Sequence, residues 1–485
     1  MERYLNKTIK EIHAALISGE VTPSDLVEEA IDRISRDDCN AYEATCFKEA
    51  RKKAKKIGDI RVGEFLSGIP YLAKDNYSTK GVETTASSKI LEGYVPLFDA
   101  EVIRKLNRSR GIMVGKTTMD ELAMGGTGTT GHKGATLNPY DRERMVGGSS
   151  CGSAAAVARG DVPYALGSDT GDSVRKPAAF AGLVGFKPTW GLVSRYGLLP
   201  FACSMDTVGW FTRCVWDAAV LCQTLAGRDE KDMTTLKTSK KNYVSEVEQR
   251  HSGNRVCYFP QVVEACDPVV RDVFHGLVNK LKKEGITVEE YRFDDNLLNA
   301  IYPTYMVISC CEAASNDAMY DGMRYGPAGD EDAKTYQEFM TSARTRGFSD
   351  LIKRRFVIGS YSLLAENQHD MFQRAQRARR VIVDALNEVF KSYDYLLLPA
   401  APSVPKRLSE LSTSWSKEPD FADNHLALAN LGGMPSLTVP CGFEAGLPLG
   451  VNITGRVLDD SGVLAFGQRI EDVTGLRNLT ASEDR

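Results

Sequence analysis

No stretch of this chain reaches the roughly 18 consecutive apolar residues that a membrane helix needs, so a helical membrane span is excluded. The opening M-E-R-Y-L-N-K-T-I-K-E lacks the apolar centre of a secretory leader. The eleven cysteines contain no C-x-x-C pair, although Cys310 and Cys311 are adjacent; they read as reduced thiols, neither a disulfide framework nor a zinc site. A cytoplasmic protein without membrane contact is expected. The formal net charge is only −4, too acidic and too small for a bulk electrostatic grip on nucleic acid. There is no G-x-x-x-x-G-K-[ST] and no strand-borne G-x-G-x-x-G, so phosphate binding has no fingerprint. Histidine is scarce, with six in 485 residues. Only His132 lies near the glycine-rich loops, and the ordinary reading of a histidine there is a solvated one. That leaves a Ser-His-Asp hydrolase poorly supplied.

What is present is ordinary globular composition, with 42% hydrophobic and 26% charged residues. Length alone is compatible with about three domains. No repeat, low-complexity tract or linker divides the chain, so one domain over 1–485 is expected. Within it, N-terminal helices occupy about 1–60, a catalytic core about 61–225 and the rest of a sheet about 226–485.

Local signals place the elements. Thr8 with Glu11 is a capping box opening a helix to about Ser18. Thr22-Pro23 with Asp25 opens a second, and Lys48 to Lys56 is a basic, solvated helix. An apolar strand ends at Lys74. Asp99 is expected to cap a helix to about Asn107, before a strand from Gly111. Met119 to Gly134 reads as a flexible polar loop, and N-P-Y-D (Asn138 to Asp141) as a turn. Arg255 to Tyr291 has a βαβ rhythm that predicts parallel pairing. Asp330 to Arg355 is polar and peripheral, and Tyr361 to Phe390 is one long helix before a buried strand, Tyr395 to Pro399. A mixed α/β fold with one large sheet fits this order.

The densest signal runs from Gly147 to Pro188, with eight glycines and five serines. Ser149 and Ser173 sit in glycine-rich turns 24 residues apart, around an alanine-rich helix. Such turns leave backbone N–H groups convergent and unpaired, which suits a developing oxyanion. Ser173 could attack an acyl carbon if a base takes its proton. Lys74 qualifies only if neutral, and a free lysine amine titrates near 10.4; burial behind an apolar strand lowers that. Ser149 could relay the proton, and the N–H groups of Thr170, Gly171 and Asp172 could bind the oxyanion. Alternatively, both serines are merely turn residues.

The segments G-G-S-S-C-G-S-A-A-A and G-S-D-T-G-D-S-V-R-K-P-A-A-F-A-G-L-V-G-F-K-P-T, with P-Y-L-A-K-D-N upstream, resemble the amidase-signature family. The separations, 75 residues from Lys74 to Ser149 and 24 to Ser173, match its pattern. The resemblance implies an α/β/α fold, a large mixed sheet covered by helices on both faces. It implies Lys74 as base, Ser149 as a bridging serine preceded by a cis peptide, and Ser173 as acyl-enzyme nucleophile. Segments such as K-T-T-M-D-E-L-A-M-G, V-S-R-Y-G-L-L-P-F-A-C-S-M-D and N-L-G-G-M-P-S-L-T-V-P-C-G are similar to one branch, the A subunits of glutamyl-tRNA(Gln) amidotransferases. That branch implies Tyr305, Arg355 and Asp423 as glutamine-binding residues. It implies no cofactor or metal in this chain, with ATP and Mg²⁺ in a partner B subunit that also carries most tRNA contact, and a small C subunit. The acceptor would be Glu-tRNA(Gln), or also Asp-tRNA(Asn).

Four departures stand out. Asp172 replaces a glycine beside the nucleophile, Cys151 replaces another glycine, Lys176 stands where glutamine is usual, and the loop after Met124 reads G-G-T-G-T-T-G-H-K-G where serine, threonine, glutamate and asparagine are usual. A carboxylate aimed at the oxyanion would repel it. Pairing with Arg175 or Lys176, or pointing to solvent, would leave the backbone donor usable. Two alternatives stand beside the glutaminase reading: a free-standing amidase and a catalytically weakened scaffold protein of the same complex.

Overall fold

The computed structural model describes residues 3–239, 241–250, 252–411 and 421–481. Its strands are β1 (Tyr42–Thr45), β2 (Pro70–Lys74), β3 (Ile112–Thr117), β4 (Leu137–Asn138), β5 (Asp141–Met145), β6 (Tyr164–Asp169), β7 (Val184–Lys187), β8 (Thr207–Thr212), β9 (Arg255–Tyr258), β10 (Thr287–Glu290), β11 (Tyr395–Pro399), β12 (Ser436–Glu444) and β13 (Leu447–Gly455). Eleven form one mixed sheet in the order β1-β3-β2-β6-β8-β7-β12-β13-β11-β9-β10, and β4 pairs with β5. The expected α/β class and single large sheet hold. Every residue of β2, β3, β6, β8, β11 and β13 is buried. Successive side chains point to opposite faces, so both faces of the sheet are covered.

Parallel pairs flank an antiparallel centre. β2 runs parallel to β3 and β6, and β9 runs parallel to β10 and β11, the latter bearing out the βαβ reading. Between them β8, β7, β12 and β13 alternate in direction. The β2–β6 register, Leu72 with Ala165 and Ala73 with Leu166, brings two carboxyl ends side by side. Lys74 ends one strand, and Ser168 and Asp169 end the other.

Both N-terminal capping boxes form, at Thr8–Glu11 and Thr22–Asp25. Three readings need correction. Asp99 does not cap its helix: its carboxylate accepts the Lys80 N–H at 2.8 Å, and Ala100 is the cap of Glu101–Arg108. The long helix from Tyr361 is two, Asp350–Leu363 and Arg374–Ser392. Between them the Asn367 amide donates to the Tyr361 carbonyl at 3.0 Å, satisfying the helix end so the chain can leave. The loop from Met119 to Gly134 is tied down: the Asp120 carboxylate accepts the Gly128 and Thr130 N–H groups at 3.0 and 3.1 Å.

Candidate active site

Lys74 is fully buried. Its Nζ lies 2.7 Å from Ser149 Oγ, 2.9 Å from Ser168 Oγ and 3.3 Å from the Ser168 carbonyl. No carboxylate among the described residues pairs with it. Burial therefore dominates and lowers its pKa from the ordinary lysine value to about 8. Asn76 Nδ2 also donates to Ser168 Oγ at 2.9 Å, fixing the hydroxyl that the lysine touches.

Ser149 is held by the backbone. Its carbonyl accepts the Asp120 N–H at 3.1 Å, and the preceding Gly148–Ser149 peptide is cis, as the resemblance implies. A Cβ at Gly148 would stand 1.9 Å from Asp120 Oδ2, so only glycine permits this approach. The next turn of chain is the helix Cys151–Arg159. The Ser150 N–H donates to the Ser173 carbonyl at 3.2 Å, which seats the second serine turn on the first.

The Ser173 turn is fixed from beneath by two carboxylates. Thr170 Oγ1 donates to Asp206 Oδ1 at 2.7 Å. Asp169 takes both Nε (3.0 Å) and Nη2 (2.9 Å) of Arg175. Burial alone would raise the Asp169 pKa, but this bidentate guanidinium more than offsets it and holds the carboxyl at about 2. Both partners are wholly buried, so removing either costs about 3–5 kcal/mol. The Gly171 carbonyl accepts Arg175 Nη2 at 2.8 Å, and the Asp172 carbonyl accepts the Lys176 N–H at 2.9 Å. Because N–H and C=O of a trans peptide point in opposite directions, the N–H groups of Asp172 and Ser173 face away from Arg175 and Lys176, which open the helix Arg175–Phe180. Among the described residues, the N–H groups of Thr170, Gly171, Asp172 and Ser173 donate to nothing.

Above this floor is a cavity of about 250 Å³, lined by Gly171, Asp172, Tyr305, Arg355 and Asp423 among others. The residues expected to hold a glutamine are thus brought together. Tyr305, midway along the helix Asp295–Asn316, packs its ring where a Gly171 Cβ would meet it at 3.0 Å. Arg355, from Asp350–Leu363, has a buried Nε with no hydrogen-bond partner among the described residues, and its guanidinium sits 5.7 Å from the Phe201 ring centre. It belongs to the polar stretch read as peripheral; Ile352, one turn earlier, is fully buried, so this end of the stretch packs inward.

The match to the Amidase family model extends over residues 25–464. The chain belongs to the amidase family. It is 39% identical over 474 residues to the A subunit of glutamyl-tRNA(Gln) amidotransferase from Streptococcus thermophilus strain CNRZ 1066, covering 97% of this chain and 96% of that one. The same protein from Latilactobacillus sakei subsp. sakei strain 23K is 36% identical over 477 residues, 97% of each chain. The crystal structure of its counterpart from Thermotoga maritima, another glutamyl-tRNA(Gln) amidotransferase A subunit, superposes with a TM-score of 0.79 at 34% identity, over 97% of this chain and 95% of that one. The peptide amidase of Stenotrophomonas maltophilia superposes with a TM-score of 0.82 at 26% identity, over 98% of each chain.

Within this amidase-family frame, the departures take definite positions. Asp172 pairs with Lys176, Nζ to Oδ2 at 2.7 Å, while Arg175 is committed to Asp169. Lys176 also donates to the Asp423 carbonyl at 2.8 Å and to its Oδ1 at 3.2 Å. Burial would lower the Lys176 pKa, but the two carboxylates more than offset it and hold the ammonium above the ordinary lysine range. Cys151 is buried; its Sγ accepts a hydrogen bond from Thr136 Oγ1 at 3.3 Å, and burial pushes its thiol up to about 12. It offers no thiolate. His132 is not solvated: its side chain is mostly buried and its Nε2 is 2.6 Å from Glu43 Oε1. The acidic group Asp37, Asp38 and Cys39 is taken up by structure, since Arg142 pairs with Asp38 at 3.0 Å and the Ala41 N–H donates to Asp37 at 2.8 Å. Sequence reasoning missed Ser168, Asn76, Asp206 and the Arg175–Asp169 pair. The signal for Ser168 was its place in G-S-D-T, one residue before the strand end.

Proposed function

We propose that this chain is the glutaminase subunit of a tRNA-dependent amidotransferase, a cytoplasmic enzyme. The supporting observation is a buried, carboxylate-free Lys74 in contact with Ser149 beneath a turn whose N–H groups are unused. In the neutral amine, two hydrogens go to Ser168 Oγ and the Ser168 carbonyl, and the lone pair faces Ser149 Oγ at 2.7 Å. Ser173 Oγ attacks the glutamine side-chain carbonyl carbon. Its proton passes to Ser149, whose own proton passes to Lys74. The oxyanion is received by N–H groups of the turn from Thr170 to Ser173, each donor contributing about 3 kcal/mol. The C–N bond breaks as Lys74 returns the proton, through Ser149, to the leaving nitrogen. Ammonia departs, a water repeats the attack on the acyl-enzyme, and glutamate is released.

Arg355 and Tyr305 hold the α-carboxylate, for which a planar guanidinium is well matched, and Asp423 holds the α-ammonium. Ammonia then serves a B subunit, which binds ATP, Mg²⁺ and Glu-tRNA(Gln) or Asp-tRNA(Asn), with a small C subunit completing the assembly. The Streptococcus and Thermotoga relatives are named as A subunits of glutamyl-tRNA(Gln) amidotransferase, and that supports the reading over a free-standing amidase. The paired state of Asp172 favours an active enzyme over a weakened scaffold. The test is co-expression with B and C partners followed by assay of glutamine hydrolysis and of tRNA-dependent amidation. Absence of a complex, with hydrolysis of unrelated amides by the lone chain, points to the free-standing amidase. A complex without glutaminase activity points to the scaffold.

A further inference from the structure

The two charged departures are joined in space. Asp172 lies three residues ahead of the helix Arg175–Phe180 and its carbonyl accepts the Lys176 N–H, which sets the two side chains side by side. The Lys176 ammonium sits between the carboxylates of Asp172 and Asp423, 2.7 and 3.2 Å away. It also holds the Asp423 main-chain carbonyl at 2.8 Å, which docks it on the turn Phe421–Asn424 independently of charge. Its side chain is 7% exposed, against 20% for Asp172 and 48% for Asp423. Asp172 adjoins the nucleophile; Asp423 faces the open part of the cavity. One buried cation is therefore shared between the acyl site and the far end of the substrate.

We infer that Lys176 is a positioning residue with two coupled tasks: it draws the Asp172 carboxylate away from the oxyanion, and it sets how much negative charge Asp423 presents to a substrate ammonium. This rests on the glutaminase reading. The charges of Asp172 and Lys176 cancel, so Asp423 keeps its net pull on an ammonium as long as Asp172 takes up the charge of Lys176. Without Lys176, Asp172 is a carboxylate beside a developing negative charge, which slows the chemical step. Without Asp172, the whole charge of Lys176 falls on Asp423, and a second ammonium meets a neutralised partner. The two single losses therefore strike different kinetic parameters.

The experiment measures hydrolysis of glutamine and of glutaramate, the same ω-amide and carboxylate without the ammonium, by the assembled complex. Lys176→Gln is expected to lower kcat about 10²-fold on both amides, the scale of losing one oxyanion donor. Asp172→Gly is expected to raise KM for glutamine about tenfold, a charge-assisted contact being lost, and to leave KM for glutaramate near the wild-type value. The double variant recovers most of both losses. Where Lys176→Gln fails to fold, Lys176→Arg, which keeps the charge, is expected to hold kcat within a few-fold, and Asp172→Asn replaces Asp172→Gly with the same KM signature. Losses that multiply in the double variant overturn the inference, as does an equal KM rise on both amides. A wild-type complex that hydrolyses neither amide overturns the glutaminase reading itself, and this inference with it.

Discussion

The floor and the wall of the cavity are built differently. The floor consists of strand ends and tight turns: Gly171 and Asp172 line the cavity, and Lys74, Ser149, Ser168 and Ser173, on the same strand ends and turns, are all buried. Its short side chains are placed by main-chain hydrogen bonds, such as Asp120 N–H to Ser149 and Ser150 N–H to Ser173. On the wall, Tyr305, Arg355 and Asp423 stand on helices from the second half of the chain. There Asp423 keeps 48% of its side chain exposed, and the Arg355 Nε lacks a partner among the described residues. The contrast teaches where each property resides. Proton transfer requires fixed distances and dryness, which backbone turns supply. Substrate choice requires charges that a ligand can still reach, which a helix surface supplies.

Four experiments test that division, in falling order of effect. Ser173→Ala, a floor change, is expected to lower glutamine hydrolysis by more than about 10⁴-fold, the scale of deleting a nucleophile. Amidation driven by added ammonia should survive in the complex; equal loss of both would place Ser173 in the fold and not in the chemistry. Lys74→Met should cost about 10³-fold in kcat, within the range for general-base catalysis, with KM little changed. In the wall, Arg355→Ala and Asp423→Ala should each raise KM for glutamine by about ten- to a hundredfold while kcat falls far less. Wild-type KM in both would break the comparison and remove glutamine as the substrate. The smallest effect is in the pH profile. In the proposed mechanism Lys74 is a neutral base, and burial lowers its pKa to about 8, so kcat is expected to rise with pH and level off above that value. The expected gain between pH 7 and 8 is about fivefold, the increase in the neutral fraction.

The floor was legible in the sequence because its parts are local. An apolar run ending in lysine, and two glycine-rich serine turns at fixed spacing, carry their own geometry. Ser168 escaped because its role depends on β2 and β6 lying side by side, an adjacency between residues 94 positions apart. The wall was far less legible. Tyr305 sits inside a 22-residue helix whose sequence pattern does not mark the side that faces a ligand. It was reached only through family resemblance. The Asp172–Lys176 pair was half visible, since i and i+4 on a helix turn are neighbours, but the third member, Asp423, lies 247 residues beyond Lys176. The break after Leu363 was hidden because the helical pattern continues on both sides of it.

One guanidinium sets a condition on how the protein is made. Besides gripping Asp169, Arg175 donates to the Leu426 carbonyl at 2.8 Å, to Asn430 Oδ1 at 2.6 Å and to Ser436 Oγ at 3.3 Å. Its strand neighbourhood is likewise closed by β12 pairing with β7. During synthesis the Ser173 turn emerges early, but the groups that lock it are translated some 250 residues later, as the separations in those contacts record. A growing chain thus carries Ser173 on an unfinished scaffold until Ser436 and β12 have been made. Polypeptides released before that point hold the whole Gly147–Pro188 stretch without the groups that fix Arg175.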